Sequence, residues 1–310
     1  MFAQTSELER AIDLYRQGSY ASSLTILDRL SKTAGKQNPT VWNYLGLNYL
    51  KIDDMREARK MFEIAVKLAP SDSTIQSNYG FVMLSERELN KAREAFSRAI
   101  DLNPNNSSAY FLRGTLNFWE SNLEIALSDA TRAVNLEKNL ALAYILRAEV
   151  LLAKFGTQVP SGKPTSEQLR LIDQAVATLE DCNSVCSPDA RSERDARISG
   201  LKVFKEYFER GNPIVGDDER LNGEVITPVR IISQPSPELT DIAIRNSVSG
   251  VLRALALFDS SGRVTQAVIV KALGYGLDGE VIVALRAVRF RPATLNGKPV
   301  SVVKMVEFSF

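Results

Sequence analysis

The sequence predicts a chain of two regions, an all-α array of stacked helix pairs followed by a small α+β domain. Three observations predict it. A strict period of 34 residues runs through the first half. Around residue 211 that period ends at turn-forming residues, Gly211-Asn212-Pro213. Beyond it, β-branched runs alternate with two helical stretches in the order β-α-β-β-α-β.

The period is carried by small and aromatic residues. Gly46, Gly80 and Gly114 stand 34 apart, and Ala148 follows at the same step. Ala58, Ala92 and Ala126 keep it, as do Ala65, Ala99 and Ala133, Phe62 and Phe96, and Pro70 and Pro104. Within one period, Trp42, Leu45, Gly46 and Tyr49 share a helical face, and Ala58, Phe62 and Ala65 share a second one. The small residues fit a close approach of two helix backbones, and the prolines stop the second helix. Segments 39–72, 73–106 and 107–140 carry the pattern, with Arg113 in an apolar slot and Lys138 in place of a proline. Segments 4–38 and 141–188 carry it more weakly. Phe155 to Thr165 is rich in Gly and Pro and reads as an exposed inserted loop. Residues 189–210, with Ile198, Leu201, Phe204 and Phe208 on one face, read as a helix capping the array.

These residues resemble the tetratricopeptide repeat (TPR), with W-x2-L-G-x2-Y, then A-x3-F-x2-A, then P. The resemblance implies an all-α superhelix with a concave groove. The groove positions are Asn43, Leu47, Phe81, Leu84, Phe111, Thr115, Phe118, Trp119, Ile145 and Glu149. The Lys and Asn set of the family's carboxylate clamp is not present, and the groove is apolar and aromatic. Either a partner peptide docks on Phe111, Phe118 and Trp119, or these rings pack on neighbouring repeats or on the chain's own C-terminal part.

In the second half, 211–224 reads as a linker, with Gly216-Asp217-Asp218-Glu219 after the first turn. Val229 to Ile232 is a short strand and 236–247 a helix with Leu239, Ile242 and Ala243 apolar. Residues 250–258 and 264–271 are strands joined by a turn at Asp259-Ser260-Ser261-Gly262. Leu277 to Val288 is a second helix, Asn296-Gly297 a turn, and Val300 to Phe310 the last strand. Gly250, the Asp259–Val264 turn, Gly276-Leu277-Asp278, Phe290-Arg291-Pro292-Ala293 and Asn296-Gly297-Lys298-Pro299-Val300 resemble, in order, the motifs of the TonB C-terminal domain. The match spans 225–310, with Pro235-Ser236-Pro237 where the family often has Tyr-Pro.

The second resemblance implies a sheet edge that takes up a peptide of an outer-membrane receptor as an added strand. Here that edge is the last strand, at Val302, Val303, Lys304, Met305, Val306, Glu307 and Phe308. An alternative has the edge covered by the repeats or paired in a homodimer through the C-terminal domain. The chain lacks the membrane helix and Pro-rich segment of a TonB-type transducer. It is expected in the periplasm or cell envelope, with a leader or anchor outside these residues, rather than in the cytoplasm. The alternative function is a soluble TPR scaffold whose TonB-like domain mediates protein–protein or self-association.

Composition agrees with a binding protein. The 310 residues hold 38 basic and 37 acidic side chains, so no net field attracts nucleic acid. There is no histidine, which excludes Ser-His-Asp and Cys-His nucleophile pairs and His-ligated zinc. Asp278 and Glu280, two apart on a helix, do not share a face for hydrolytic work. Cys182 and Cys186 read as two small buried residues, because a disulfide four apart within one helix is strained. No run approaches the ~20 apolar residues of a membrane span. No catalytic residue, metal site or cofactor is expected, and the partners are proteins or peptides. The expected organisation is a repeat array at 4–188, a capping helix at 189–210, the linker at 211–224 and the C-terminal domain at 225–310.

Overall fold

The computed structural model describes residues 2–159, 161–215, 220–221 and 224–310. The chain divides into two compact units, residues 1–116 and 117–310.

In the first unit, α1 (Phe2–Arg16) pairs with α2 (Tyr20–Ser31), α3 (Pro39–Lys51) with α4 (Met55–Leu68), and α5 (Ser73–Ser85) with α6 (Leu89–Leu102). The next helix, α7, begins at Ser107 and ends at Trp119. Helix starts follow from local chemistry. The Asn38 side chain accepts from the Thr40 N–H ahead of Pro39, and the Asp54 and Asp72 carboxylates do the same for Glu57 and for Thr74 and Ile75. The hairpin turns share one conformation: Asp53, Arg87 and Ser121, 34 apart, have φ of 61°, 60° and 63°. The glycine period has a steric cause. A Cβ on Gly46 would lie 2.7 Å from the Phe62 ring, and one on Gly80 would lie 2.6 Å from Phe96. Both rings are fully buried, together with Ala58, Ala65, Ala92 and Ala99. Arg113 occupies its apolar slot by laying its guanidinium 5.7 Å from the Tyr110 ring centre and donating to the Ser97 hydroxyl.

The second unit holds α8 (Leu123–Leu136), α9 (Ala141–Gln158), α10 (Ser166–Cys182) and α11 (Arg191–Glu209). After them come β1 (Arg220–Leu221), β2 (Glu224–Val225), β3 (Arg230–Ser233), α12 (Asp241–Arg245), β4 (Val251–Phe258), β5 (Val264–Lys271) and α13 (Leu277–Arg286). The chain ends with β6 (Arg289–Arg291), β7 (Ala293–Leu295), β8 (Lys298–Val300) and β9 (Val302–Ser309). The main sheet is antiparallel in the order β5-β4-β9, while β3 pairs with β6 and β7 with β8. It is buried on both faces. Leu255, Leu257, Val268, Val270 and Val303 join one apolar core with Leu151, Phe155, Phe204 and Phe208 of the helices. By strand alternation, Leu252, Ala254, Ala256 and Phe258 face the other way, where Phe258 meets Phe290 edge-on at 5.0 Å.

Several expectations need correction. The loop expected from Phe155 begins only at Val159, because Phe155 is a fully buried core ring against Phe204 and Phe208. Gly156 continues the helix and lets α9 press on Val270. Pro160 lies outside the described residues. The helix expected over 236–247 shrinks to Asp241–Arg245. Pro237 disfavours helix before it, and the Thr240 hydroxyl caps the N–H of Ala243. The last strand breaks at Ser301, whose Oγ accepts from the Ser260 N–H. In the segment read as a linker, Ile214 and Val215 are buried, while 216–219 and 222–223 lie outside the described residues. Cys182 and Cys186 form a disulfide. Cys182 ends α10 and Cys186 lies in the turn beyond, where the Cys186 N–H bonds to the Cys182 carbonyl at 2.7 Å and the Cα atoms come to 5.3 Å.

Candidate functional site

Strand β9 is an edge of the main sheet. Gly250 and Phe310 exchange both backbone hydrogen bonds, at 3.1 and 3.0 Å. That sets the phase: even-numbered residues of β9 bond to β4, and odd-numbered residues turn their N–H and C=O outward. Val303 is already paired on the outer side. Its N–H donates to the Tyr207 Oη at 3.3 Å, and its carbonyl accepts from the Val215 N–H at 2.8 Å. The Tyr207 hydroxyl in turn donates to the Pro213 carbonyl at 2.9 Å. Burial pushes the Tyr207 pKa up to about 12, against the opposing effect of the Val303 N–H, so the donor proton stays in place. Among the described residues, the outward groups of Met305, Glu307 and Ser309 have no backbone partner.

The seven edge residues differ in accessibility. Val302, Val303 and Phe308 are buried, Lys304, Met305 and Val306 are half-buried, and Glu307 is exposed. Glu307 pairs with Arg253 across the sheet at 2.7 Å. Beside Val306, Val229, Ile231, Phe258, Leu285 and Val288 line a slot of about 150 Å³, with the Lys304 side chain at its wall.

The groove positions are less uniform than their periodicity. In the first unit, Asn43 is buried and accepts from Asn78 at 2.8 Å, and Leu84 is buried. Leu47, Phe111 and Thr115 are half-buried, and Phe81 is exposed. The Thr115 hydroxyl bonds back to the Phe111 carbonyl at 2.9 Å, as helical threonines do. In the second unit, Phe118 is buried and Ile145 exposed. Trp119 is stacked on Tyr275, with ring centres 4.8 Å apart. Glu149 is paired with Arg197 at 2.5 Å. Trp119 thus packs against the chain's own C-terminal part.

That contact rests on an unusual loop. Gly274, Tyr275 and Gly276 are left-handed in succession, with φ of 73°, 57° and 81°. Any Cβ on Gly274 would lie 2.5 Å from the Trp119 indole nitrogen. Asp278, in the first turn of α13, accepts from the Leu273 N–H at 3.2 Å and so pins the loop rather than capping its own helix. Burial pushes the Asp278 pKa up to about 6; the Leu273 and Gly274 N–H groups oppose that rise, and the charge of Glu149 adds to it. The folded chain therefore holds this proton more tightly than the unfolded chain, and stability falls as pH rises from about 4 to 6. The difference is on the order of 3 kcal/mol. Unfolding monitored between pH 4 and 7 should show this loss in the parent and a smaller one in Asp278→Asn.

Sequence reading missed Tyr207, Val215 and Tyr275. The Gly-Tyr-Gly run before α13 was a legible turn signal. Tyr207 carried none, since it reads only as one more apolar residue beside Phe208.

Two families match the chain. Residues 235–310 match the C-terminal part of the Gram-negative bacterial TonB protein, and 8–73 and 45–107 match the tetratricopeptide repeat. Among solved structures, PilF of Pseudomonas aeruginosa aligns at 14% identity with a TM-score of 0.53, over 66% of this chain and 85% of its own. A thermophilic TPR protein of Thermus thermophilus aligns at 17% identity with a TM-score of 0.49, over 64% of this chain and 99% of its own. A comparison with curated proteins gives no match. Both matched families are non-catalytic protein-interaction domains. No helix among the described residues is long and apolar enough to cross a membrane, and no group of side chains among them could hold a metal ion. The chain thus carries TPR repeats in its N-terminal part and, at 235–310, a domain of the TonB C-terminal family.

Proposed function

We propose that this is a non-enzymatic cell-envelope protein whose C-terminal domain takes up an extended peptide of an outer-membrane receptor along β9. The repeats bring a second protein partner to the same chain. The carrying observation is the outer side of β9, where Met305, Glu307 and Ser309 present backbone groups beside an apolar slot. An unpaired edge is a template for an added strand. The disulfide supports the periplasm, an oxidising compartment. For the repeats, Leu47, Phe81, Phe111 and Thr115 are the groove residues left with accessible surface in the first unit.

Synthetic peptides from the periplasm-facing ends of outer-membrane receptors should bind the full chain in a fluorescence-polarisation titration. Glu307→Pro should weaken that binding at least tenfold, because it removes an outward N–H and none that bonds to β4. Equal binding by parent and variant would sink the β9 reading. A homodimer through the same open edge is the alternative. Sizing of the chain tests it: a dimer broken by Glu307→Pro, with no peptide binding, favours self-association.

A further inference from the structure

We infer that Tyr207 and the Pro213–Val215 segment act as a register stop, confining a docked strand to Met305–Ser309 and placing one of its aliphatic side chains in the slot beside Val306. This rests on the β9 reading above and adds where on the strand the peptide sits and what it must carry.

The stop is the chain's own occupant of the edge. Ile214 bridges to Val303 in the parallel sense, so this segment already stands where the first residues of an added strand would lie. It is anchored from behind: Ile214 and Gly162 exchange both backbone bonds, at 3.0 and 2.7 Å. Tyr207 packs on the Phe208 ring at 5.3 Å, and Ile214 and Val215 are 2% and 3% exposed. A peptide that displaced the stop would have to satisfy the Val303 N–H, the Val303 carbonyl and the freed Tyr207 hydroxyl at once. An unmet buried donor or acceptor carries its full desolvation penalty, so the stop holds and the peptide pairs beyond it.

Three outward residues remain, at 305, 307 and 309. At roughly 3.4 Å per residue they match a paired core of about five peptide residues. Alternate side chains of the added strand point to the α13 side of the sheet, where the slot walls at Val229, Ile231, Phe258, Leu285 and Val288 are apolar. An aliphatic side chain fills that space against these walls, with the Lys304 and Gln234 side chains at its polar margin. The partner is therefore a short extended peptide with an aliphatic residue near its centre.

Residue-resolved amide exchange on the full chain tests this. In the free protein the Val303 amide should exchange at least tenfold more slowly than those of Met305 and Glu307. Tyr207→Phe, which keeps the ring, should abolish that difference, and Val215→Pro should reduce it. Equal exchange at Val303 and Met305 in the parent overturns the stop without any ligand present. The probe is a nine-residue threonine-rich peptide with one central leucine. It should slow exchange at Met305, Glu307 and Ser309 and leave Val303 unchanged. Protection of Val303 in the parent overturns the stop. A peptide with serine for the leucine should bind at least tenfold more weakly, and equal affinity overturns the slot assignment. If neither peptide nor any receptor peptide slows a β9 amide, the docking reading fails, while the free-chain exchange still decides the stop.

Discussion

Phe155→Ala should destabilise the second unit by about 3–5 kcal/mol, the range for emptying a buried phenylalanine site. Phe155 is 0% exposed and lies against both Phe204 and Phe208 at ring separations of 6.5 and 5.6 Å. Its core also contains Leu255 and Leu257 of β4, Val268 and Val270 of β5, and Val303 of β9. A cavity opened in α9 thus removes contacts from the sheet as well as from the helices. The measurement is native-state exchange: amides of β4 and β5 should lose protection together with those of α9 and α11, while α3–α6 keep theirs. If protection in β4 and β5 stays unchanged while α9 loosens, helices and sheet do not share this core. The expected outcome bears on function, because the β9 edge is positioned by the same core that holds α11 and its Tyr207.

Gly80→Val should cost the first unit about 3 kcal/mol, the upper end for overpacking a close-packed core. The Cβ alone would stand 2.6 Å from Phe96, and that ring is fully buried with Ala92 and Ala95 around it. Helix propensity works the other way, since glycine is about 1 kcal/mol worse than alanine inside a helix. The steric term wins because the buried ring has nowhere to retreat. Gly279, in the first turn of α13, reverses the balance: an added Cβ there meets nothing within 4 Å. Gly279→Ala should therefore stabilise by about 0.5–1 kcal/mol. Denaturant titration of the two variants reads both signs, and a Gly80→Val midpoint at or above the parent's would show that the glycine period has another cause.

Much of the fold was legible because its causes are local or periodic. Gly46 and Gly80 recur with the rings of Phe62 and Phe96, so the spacing alone exposed the helix pairs. Strands β4 and β5 appeared within a residue of their bounds, since a β-branched run closed by the Asp259–Gly262 turn has few other structures. The misreadings have local causes too. Gly156 looked like a loop residue, although its missing Cβ serves close packing on Val270. The cysteine pair looked helical, although α10 ends between its members. At the candidate site, the sequence marked β9 as the sheet edge but not which of its residues face outward.

The sequence by itself determined the helical hairpins, the α+β order and the strand that forms the sheet edge. Residue spacing and turn chemistry act within a few positions, or repeat at one fixed interval. Only the tertiary structure decided that Val303 is closed and Met305 to Ser309 open, that Trp119 is covered by Tyr275, and that the sheet shares a core with α9 and α11. The closing bond joins Val303 to Tyr207 across 96 positions. No periodicity or local preference reports a hydrogen bond at that distance along the chain, because it exists only once both partners are buried together.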